Sequence, residues 1–158
     1  MITSDRSVAF EGWANRRMLR HLQNLPSRPD RAVQLFAHVL SGIKVWLVRV
    51  NGKDSSDLMI WPNWTLAECE AELAEIEQAM SVFVRSAEEE NLAREIAYTN
   101  QHGLTYTTSI GDILFHLACH GAYHRGQICL VLRMSDLLPV NTDFITFVRE
   151  MAGQPWKS

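Results

Sequence analysis

His116, His120 and His124 recur every four residues through an apolar stretch of the chain. On an α-helix that spacing stacks side chains on one face with Cβ atoms about 5–6 Å apart, from which two imidazoles can converge on one cation. Neutral ring nitrogens suit a divalent transition metal, which they bind at about 2.0–2.1 Å. Such short bonds do not let all three serve one ion, because eight residues span about 12 Å of helix axis. Either His116 with His120 or His120 with His124 forms the pair, and spacing leaves both open. A third ligand must come from another helix, and His38, inside an apolar periodic segment, is the imidazole best placed to face the interior. His21 and His102 read as surface or hydrogen-bonded residues, and His116 taken alone as a packing residue. Two imidazoles buried side by side with no ion or acidic partner would leave costly unsatisfied polar groups. The zincin pattern H-E-x-x-H is absent, so the spacing names no reaction.

The elements that must position these rings follow from periodicity. Phe10, Trp13, Ala14, Met18, Leu22 and Leu25 predict a first helix over about residues 5–25, closed by Pro26 and Pro29. Asp30 as N-cap opens a second helix that carries His38 and ends at Asn51-Gly52. Thr65 and Glu68 have capping-box spacing ahead of a third seam, Leu66, Cys69, Leu73, Ile76, Met80, Phe83 and Ala87. Residues 92–108, with Tyr98, Tyr106 and several threonines around Asn100-Gln101-His102-Gly103, predict a short hairpin. Ser109 and Asp112 cap a long fourth helix that holds His116, His120 and His124 and ends near Ser135. Asn141 is the expected N-cap of a short final helix with apolar positions Phe144, Ile145, Phe147 and Val148.

With 158 residues, 47% of them hydrophobic and 21% charged, the chain is expected to form a single domain, 1–158. Fifteen basic against 18 acidic residues leave a net charge of −3, which gives no global pull towards nucleic acid or an anionic membrane. Arg16, Arg17 and Arg20, the one basic cluster, read as a solvated helix face. The N-terminus lacks the order of a signal peptide and no apolar run approaches the roughly 18 residues of a transmembrane span, so a soluble, cytoplasmic protein is expected. Cys69, Cys119 and Cys129, odd in number and set in apolar periodic segments, read as reduced core thiols.

The run from His116 to Ile128, H-L-A-C-H-G-A-Y-H-R-G-Q-I, resembles the signature of the DinB family, the DNA-damage-inducible-type metalloenzymes. Tyr123-His124-Arg125-Gly126-Gln127 is its most specific piece. The resemblance extends through Trp13-Ala14-Asn15, His38 with Trp46, and Pro139 to Phe147. It implies an all-α fold, an up-down-down-up four-helix bundle with a short hairpin-like connection and a short C-terminal helix, commonly a homodimer. It also implies a metal held by one histidine of the second helix and two of the signature helix, here His38, His120 and His124. Many relatives have Asn where this chain has Cys119. One residue from His120, that thiol points about 100° away around the helix and is expected in the core.

Three neutral imidazoles leave a divalent ion positively charged with at least one open position, as in catalytic rather than closed structural zinc sites. Such an ion can lower the pKa of bound water to about 7 or hold a substrate thiolate. The resemblance favours the thiolate, because family relatives include thiol-dependent transferases and an isomerase. The expectation is a metal-dependent transferase, with zinc or nickel as the ion, that joins a low-molecular-weight thiol to small electrophiles. The rival is a non-catalytic, metal-stabilised dimeric bundle acting as an interaction or stress-response protein. Tyr123 and Arg125 flank His124 and could orient a substrate or a partner subunit, or make structural hydrogen bonds at the bundle surface. Gln127, three residues on, could reach His124 itself.

Overall fold

The computed structural model describes residues 4–86 and 92–154. Helix α1 (Ser4–Asn24) stops short of Pro26 and Pro29, where the chain loses backbone donors. Helix α2 (Asp30–Val50) is capped by Pro29 in extended conformation, not by Asp30 as expected. Asp30 lies in the first turn instead, where its charge meets the positive end of the helix dipole. Gly52, at φ +70°, carries the chain away from the end of α2 in a conformation that side chains resist.

Helix α3 (Leu66–Ser86) opens on the reciprocal box. The Glu68 amide donates to Thr65 Oγ1 at 3.2 Å and the Thr65 amide to Glu68 Oε2 at 2.7 Å. Its seam of Leu66, Cys69, Leu73, Ile76 and Met80 is buried, while Ala87 lies outside the described residues. Strands β1 (Glu95–Thr99) and β2 (Thr105–Ser109) form the expected hairpin, antiparallel with Tyr98 opposite Tyr106. Asn100 Oδ1 accepts from the amides of His102 and Leu104 at 2.9 and 3.0 Å and so closes the turn.

Helix α4 (Ile110–Met134) starts at Ser109, whose hydroxyl accepts from the Asp112 amide at 3.1 Å. Helix α5 (Phe144–Met151) is capped at Asp143 rather than Asn141. Asn141 lies outside the helix and accepts the Asp143 amide through Oδ1 at 2.9 Å.

Helix α1 packs against α3 and α4, and α2 packs against the same two. Their facing residues, among them Met18, Phe36, Leu40, Leu73, Ile113 and Leu117, make one core, which the hairpin joins through Ile96. Helix α5 lies on α1 through Phe10, Phe144 and Phe147. By length and composition α2 alone among the described helices could cross a membrane, contrary to the sequence expectation, but 61% of that window is buried inside the protein. Apolar composition here serves a core helix: Leu35, Phe36, Leu40 and Ile43 meet the other helices rather than lipid.

Two further expectations are corrected. Cys119 is exposed, whereas Cys69 is buried and Cys129 half-buried. It lies on a face of α4 with Phe115 and Tyr123 that none of the described elements covers. Apolar periodicity located the helix but could not say which of its faces meets a neighbour. The arginine cluster is not a uniformly solvated face either. Arg16 pairs with Glu77, and Arg17 pairs with Glu150 of α5 at 2.7 Å while lying over the Trp13 ring. Arg16 and Arg20 keep to the surface, Arg20 bonded to the Arg16 carbonyl, and only Arg17 is half-buried.

Candidate metal centre

Two helices and one loop bring the site together. Helix α2 presents His38, α4 presents His120 and His124, and one nitrogen from each of the three rings lies within 4.8 Å of the others. His38 Nε2 and His120 Nε2 are 3.2 Å apart. Tetrahedral ligands at about 2.0–2.1 Å from one ion are separated by about 3.3 Å, so this spacing is the one an ion would need.

Both outer rings are held in the tautomer that frees Nε2. His38 Nδ1–H donates to the Ile60 carbonyl at 2.8 Å, and His124 Nδ1–H donates to Gln127 Oε1 at 2.8 Å. Hydrogen bonds of this kind fix ring orientation and raise the basicity of the nitrogen opposite. The loop that offers Ile60 is itself tied to α2, because the Ser41 hydroxyl donates to the Met59 carbonyl.

Trp61 follows, stacked on His38 at 3.7 Å between centroids and 4° between planes, and edge-on to His124 at 6.2 Å. Its indole is 45% exposed and the Arg31 guanidinium lies over it at 5.3 Å. Gly42 completes the cradle from α2: a Cβ there would lie 3.0 Å from His120 Cε1, so the absent side chain gives the ring its room.

The electrostatics favour neutral rings. Burial lowers the pKa of His38, aided by the positive forms of His124 and Arg31, while its bond to Ile60 works the other way. Burial also lowers His120, to about 3, with His124, His38, His116 and Arg125 adding to the effect. An unprotonated imidazole is the form that ligates. These donors fit a divalent ion: three nitrogens within 4.8 Å of one another, with no carboxylate or thiolate among them.

His116 stays out of that cluster and, though it packs against ring edges, is exposed rather than part of the core. It meets the edge of Trp46 at 5.7 Å and stands 5.6 Å from His120. His21 donates to the Leu138 carbonyl at 2.8 Å and His102 is exposed in the hairpin turn. Gln127 reaches His124 as anticipated. Tyr123, 66% exposed, stands edge-on to His124 at 5.0 Å.

Arg125 departs most from the sequence reading. It is 1% exposed and lies inside the protein, not at its surface. Its Nη1 and Nη2 donate to the two Glu11 oxygens at 2.9 and 2.7 Å, and Nη1 also donates to Asn15 Oδ1 at 2.9 Å. Burial pushes the Glu11 carboxyl up, opposed by Arg125 and Asn15. The guanidinium lies 5.3 Å over Phe10, and its Nε has no hydrogen-bond partner. Gly121, one turn earlier, makes the space: a Cβ there would be 2.6 Å from Arg125 Nη1. The group ties α1 to the residue beside a candidate ligand.

Sequence reasoning missed Trp61, Ile60, Gly42, Glu11 and Gly121 as parts of this arrangement. One of them, Glu11, left a signal. Glu11 and Asn15 are polar residues four apart within the apolar stripe of Phe10, Ala14 and Met18, so at least one buried partner was implied. The loop contribution of Ile60 and Trp61 depends on how the chain returns to α2, and no local pattern carries that.

The Protein DinB of Bacillus subtilis (strain 168) is 27% identical over 152 residues, which cover 85% of this chain and 87% of that protein. The model of the DinB family matches residues 3–155, a span that takes in all three candidate ligands and the helices that carry them, and the chain therefore belongs to the DinB family.

Proposed function

We propose that this single-domain chain binds a divalent ion, zinc or nickel, through His38, His120 and His124, and transfers a low-molecular-weight thiol to small electrophiles. The approach of one nitrogen from each of three rings to within 4.8 Å of the others, two of the rings oriented by bonds to Ile60 and Gln127, is the observation that carries the reading. With three neutral ligands a bound ion would keep its full charge and an open position, with which it can hold a thiolate as nucleophile. Trp61 and Tyr123 flank the rings and offer apolar surface to an acceptor. Arg31, over Trp61, places a positive charge near an anionic thiol group such as a carboxylate.

The helices would form an up-down-down-up four-helix bundle, paired as a homodimer in the cytoplasm. A second reading rests on the same geometry: an ion shared by α2 and α4 staples two helices, and metal binding is then folding free energy with no chemistry attached. One experiment separates them. Protein purified without a histidine tag is assayed for metal content, then incubated metal-loaded with cysteine-derived thiols and electrophilic acceptors. Transfer predicts thiol consumption that His38→Ala and His124→Ala abolish together with bound metal. Full metal content with no thiol consumed would leave the staple.

A further inference from the structure

One cavity lies apart from the metal centre. It opens to solvent between α1 and α3, offers about 180 Å³, and reaches inwards to α2 and α4. Its inner wall is Ile43, Leu73, Ile76, Met80, Leu114 and Leu117, all buried. Ile43 follows Gly42, and Leu117 precedes His120 by one turn, so the cavity and the histidines share α2 and α4 as their walls. None of the three histidines lines it.

Packed cores hold few voids larger than a water molecule, and those that persist are apolar. This one persists because its rim is built of small residues. Gly12 and Ala9 on α1 and Ser81 on α3 surround it, where larger side chains would close it. Water is poorly served at the inner wall, since an ordered molecule needs two to four polar partners and that wall offers hydrocarbon. Polar groups lie outside that inner wall, Ser7 and Ser81 among them. Glu11 and Asn15 line one part, and the Arg16–Glu77 pair spans the rim between α1 and α3.

We propose that this cavity is a binding site for a small, uncharged, hydrocarbon-rich molecule, an aromatic ring or short aliphatic chain with at most one hydrogen-bond donor. Size sets the first limit, because a cavity of about 150 Å³ lined by Leu, Ile and Phe admits benzene. Charge sets the second. Glu11 is already neutralised by Arg125, and Glu77 by Arg16, so an ammonium or carboxylate brought inside would find no counter-charge. A hydroxyl can still donate to Glu11, whose oxygens have lone pairs beyond those that Arg125 engages. Phenol is the simplest molecule to satisfy both limits.

Toluene, phenol, benzylamine and benzoate are titrated into protein labelled at its Ile, Leu and Met methyl groups. Toluene and phenol are expected to give saturable shifts at Ile43, Leu73, Ile76, Met80 and Leu114, with the two charged probes at least tenfold weaker. Gly12→Leu is expected to plug the cavity from α1, where a Cβ meets only the mobile end of Arg16 at 3.4 Å and Glu77 beyond it. That variant should bind phenol at least tenfold more weakly and melt at a higher temperature. Ser81→Leu fills from α3 should the first variant not fold. The proposal is overturned if neither neutral probe gives saturable shifts up to its solubility, if the charged probes bind equally well, or if a folded plugged variant binds phenol as the parent does.

Discussion

Replacing Gly42 by alanine tests the metal centre through a group that is not itself a ligand. The new Cβ would stand 3.0 Å from His120 Cε1 and 3.5 Å from Nδ1. Ordinary carbon contacts begin near 3.4 Å, so the ring must retreat by about 0.4 Å, twice the tolerance of about 0.2 Å on a metal–ligand bond. Groups that orient ligands typically cost 10–100-fold in metal affinity when disturbed, about 1.4–2.8 kcal/mol. The metal-free protein responds differently. Alanine in place of glycine inside a helix contributes about 1 kcal/mol, and loss of the 3.2 Å approach of His120 to His38 costs about as much. Metal-free stability is therefore expected within about 1 kcal/mol of the parent, a few degrees in Tm for a chain of this size.

The assay is a chelator competition for zinc together with melting of metal-free and metal-loaded forms at fixed free zinc. Affinity should fall 10–100-fold, and the melting increment that zinc gives should shrink in proportion to the logarithm of that loss. Gly126→Ala is the control, since a Cβ at that position of α4 meets nothing within 4 Å. It should raise stability by up to about 1 kcal/mol and leave zinc affinity alone. Zinc binding by Gly42→Ala within twofold of the parent would refute the close-packed cradle, and with it the inference that α2 sets the position of His120.

Other outcomes follow from the same contacts. Gln127→Leu removes the acceptor that holds His124 Nδ1–H and should lower metal affinity 10–100-fold while the fold persists, read by the same competition. Arg125→Met leaves the Glu11 carboxylate buried without its partner and should cost about 3–5 kcal/mol in denaturant unfolding, whereas Arg125→Met with Glu11→Leu should recover most of the loss. Gly121→Ala should destabilise by a comparable route, because its Cβ takes the space of that pair. The metal-free protein should lose stability on acidification. His120 is held near pKa 3 when folded and titrates near 6.5 when unfolded, so below 6.5 the unfolded chain binds the extra proton. Stability is full above 6.5 and falls as pH drops towards 3, and unfolding of His120→Gln measured over that range should show a weaker dependence.

The elements were legible where a single local rule governed them. Thr65 with Glu68 and Ser109 with Asp112 marked helix starts because a cap acts within four residues, and the hairpin followed from the Asn100–Gly103 turn. Asp30 and Asn141 failed as caps for a related reason: several residues near each start could take the position, and Pro29 and Asp143 did so. The ligand pair was undecided by spacing, since His116 and His124 are equally distant from His120. The DinB resemblance implies His124, and the fold groups His124 rather than His116 with His38 and His120. Trp46 occupies the side of α2 that His116 faces, whereas His38, two turns earlier on α2, faces His124. Cys119 and Arg125 were misplaced together, because a helix pattern gives angles between residues but not which neighbour each angle meets.

The placement of Arg125 changes how the family signature is to be understood. In Tyr123-His124-Arg125-Gly126-Gln127, His124, a candidate ligand, and Gln127, which orients it, lie on the side of α4 that faces α2 and the loop. Arg125 is turned about 100° from His124 and reaches α1. A bidentate guanidinium–carboxylate pair tolerates little rotation of the helix that carries it, because both bonds depend on coplanar forks. A hydrophobic residue of similar size would bury with less desolvation cost but would permit α4 to turn or slide by a fraction of a turn. At His124 such a movement is magnified along the side chain, and Nε2 has no more than a few tenths of an ångström to spare. The double replacement of Arg125 and Glu11 by apolar residues should therefore restore stability without restoring metal affinity, and that divergence distinguishes a rotation lock from a merely stabilising contact.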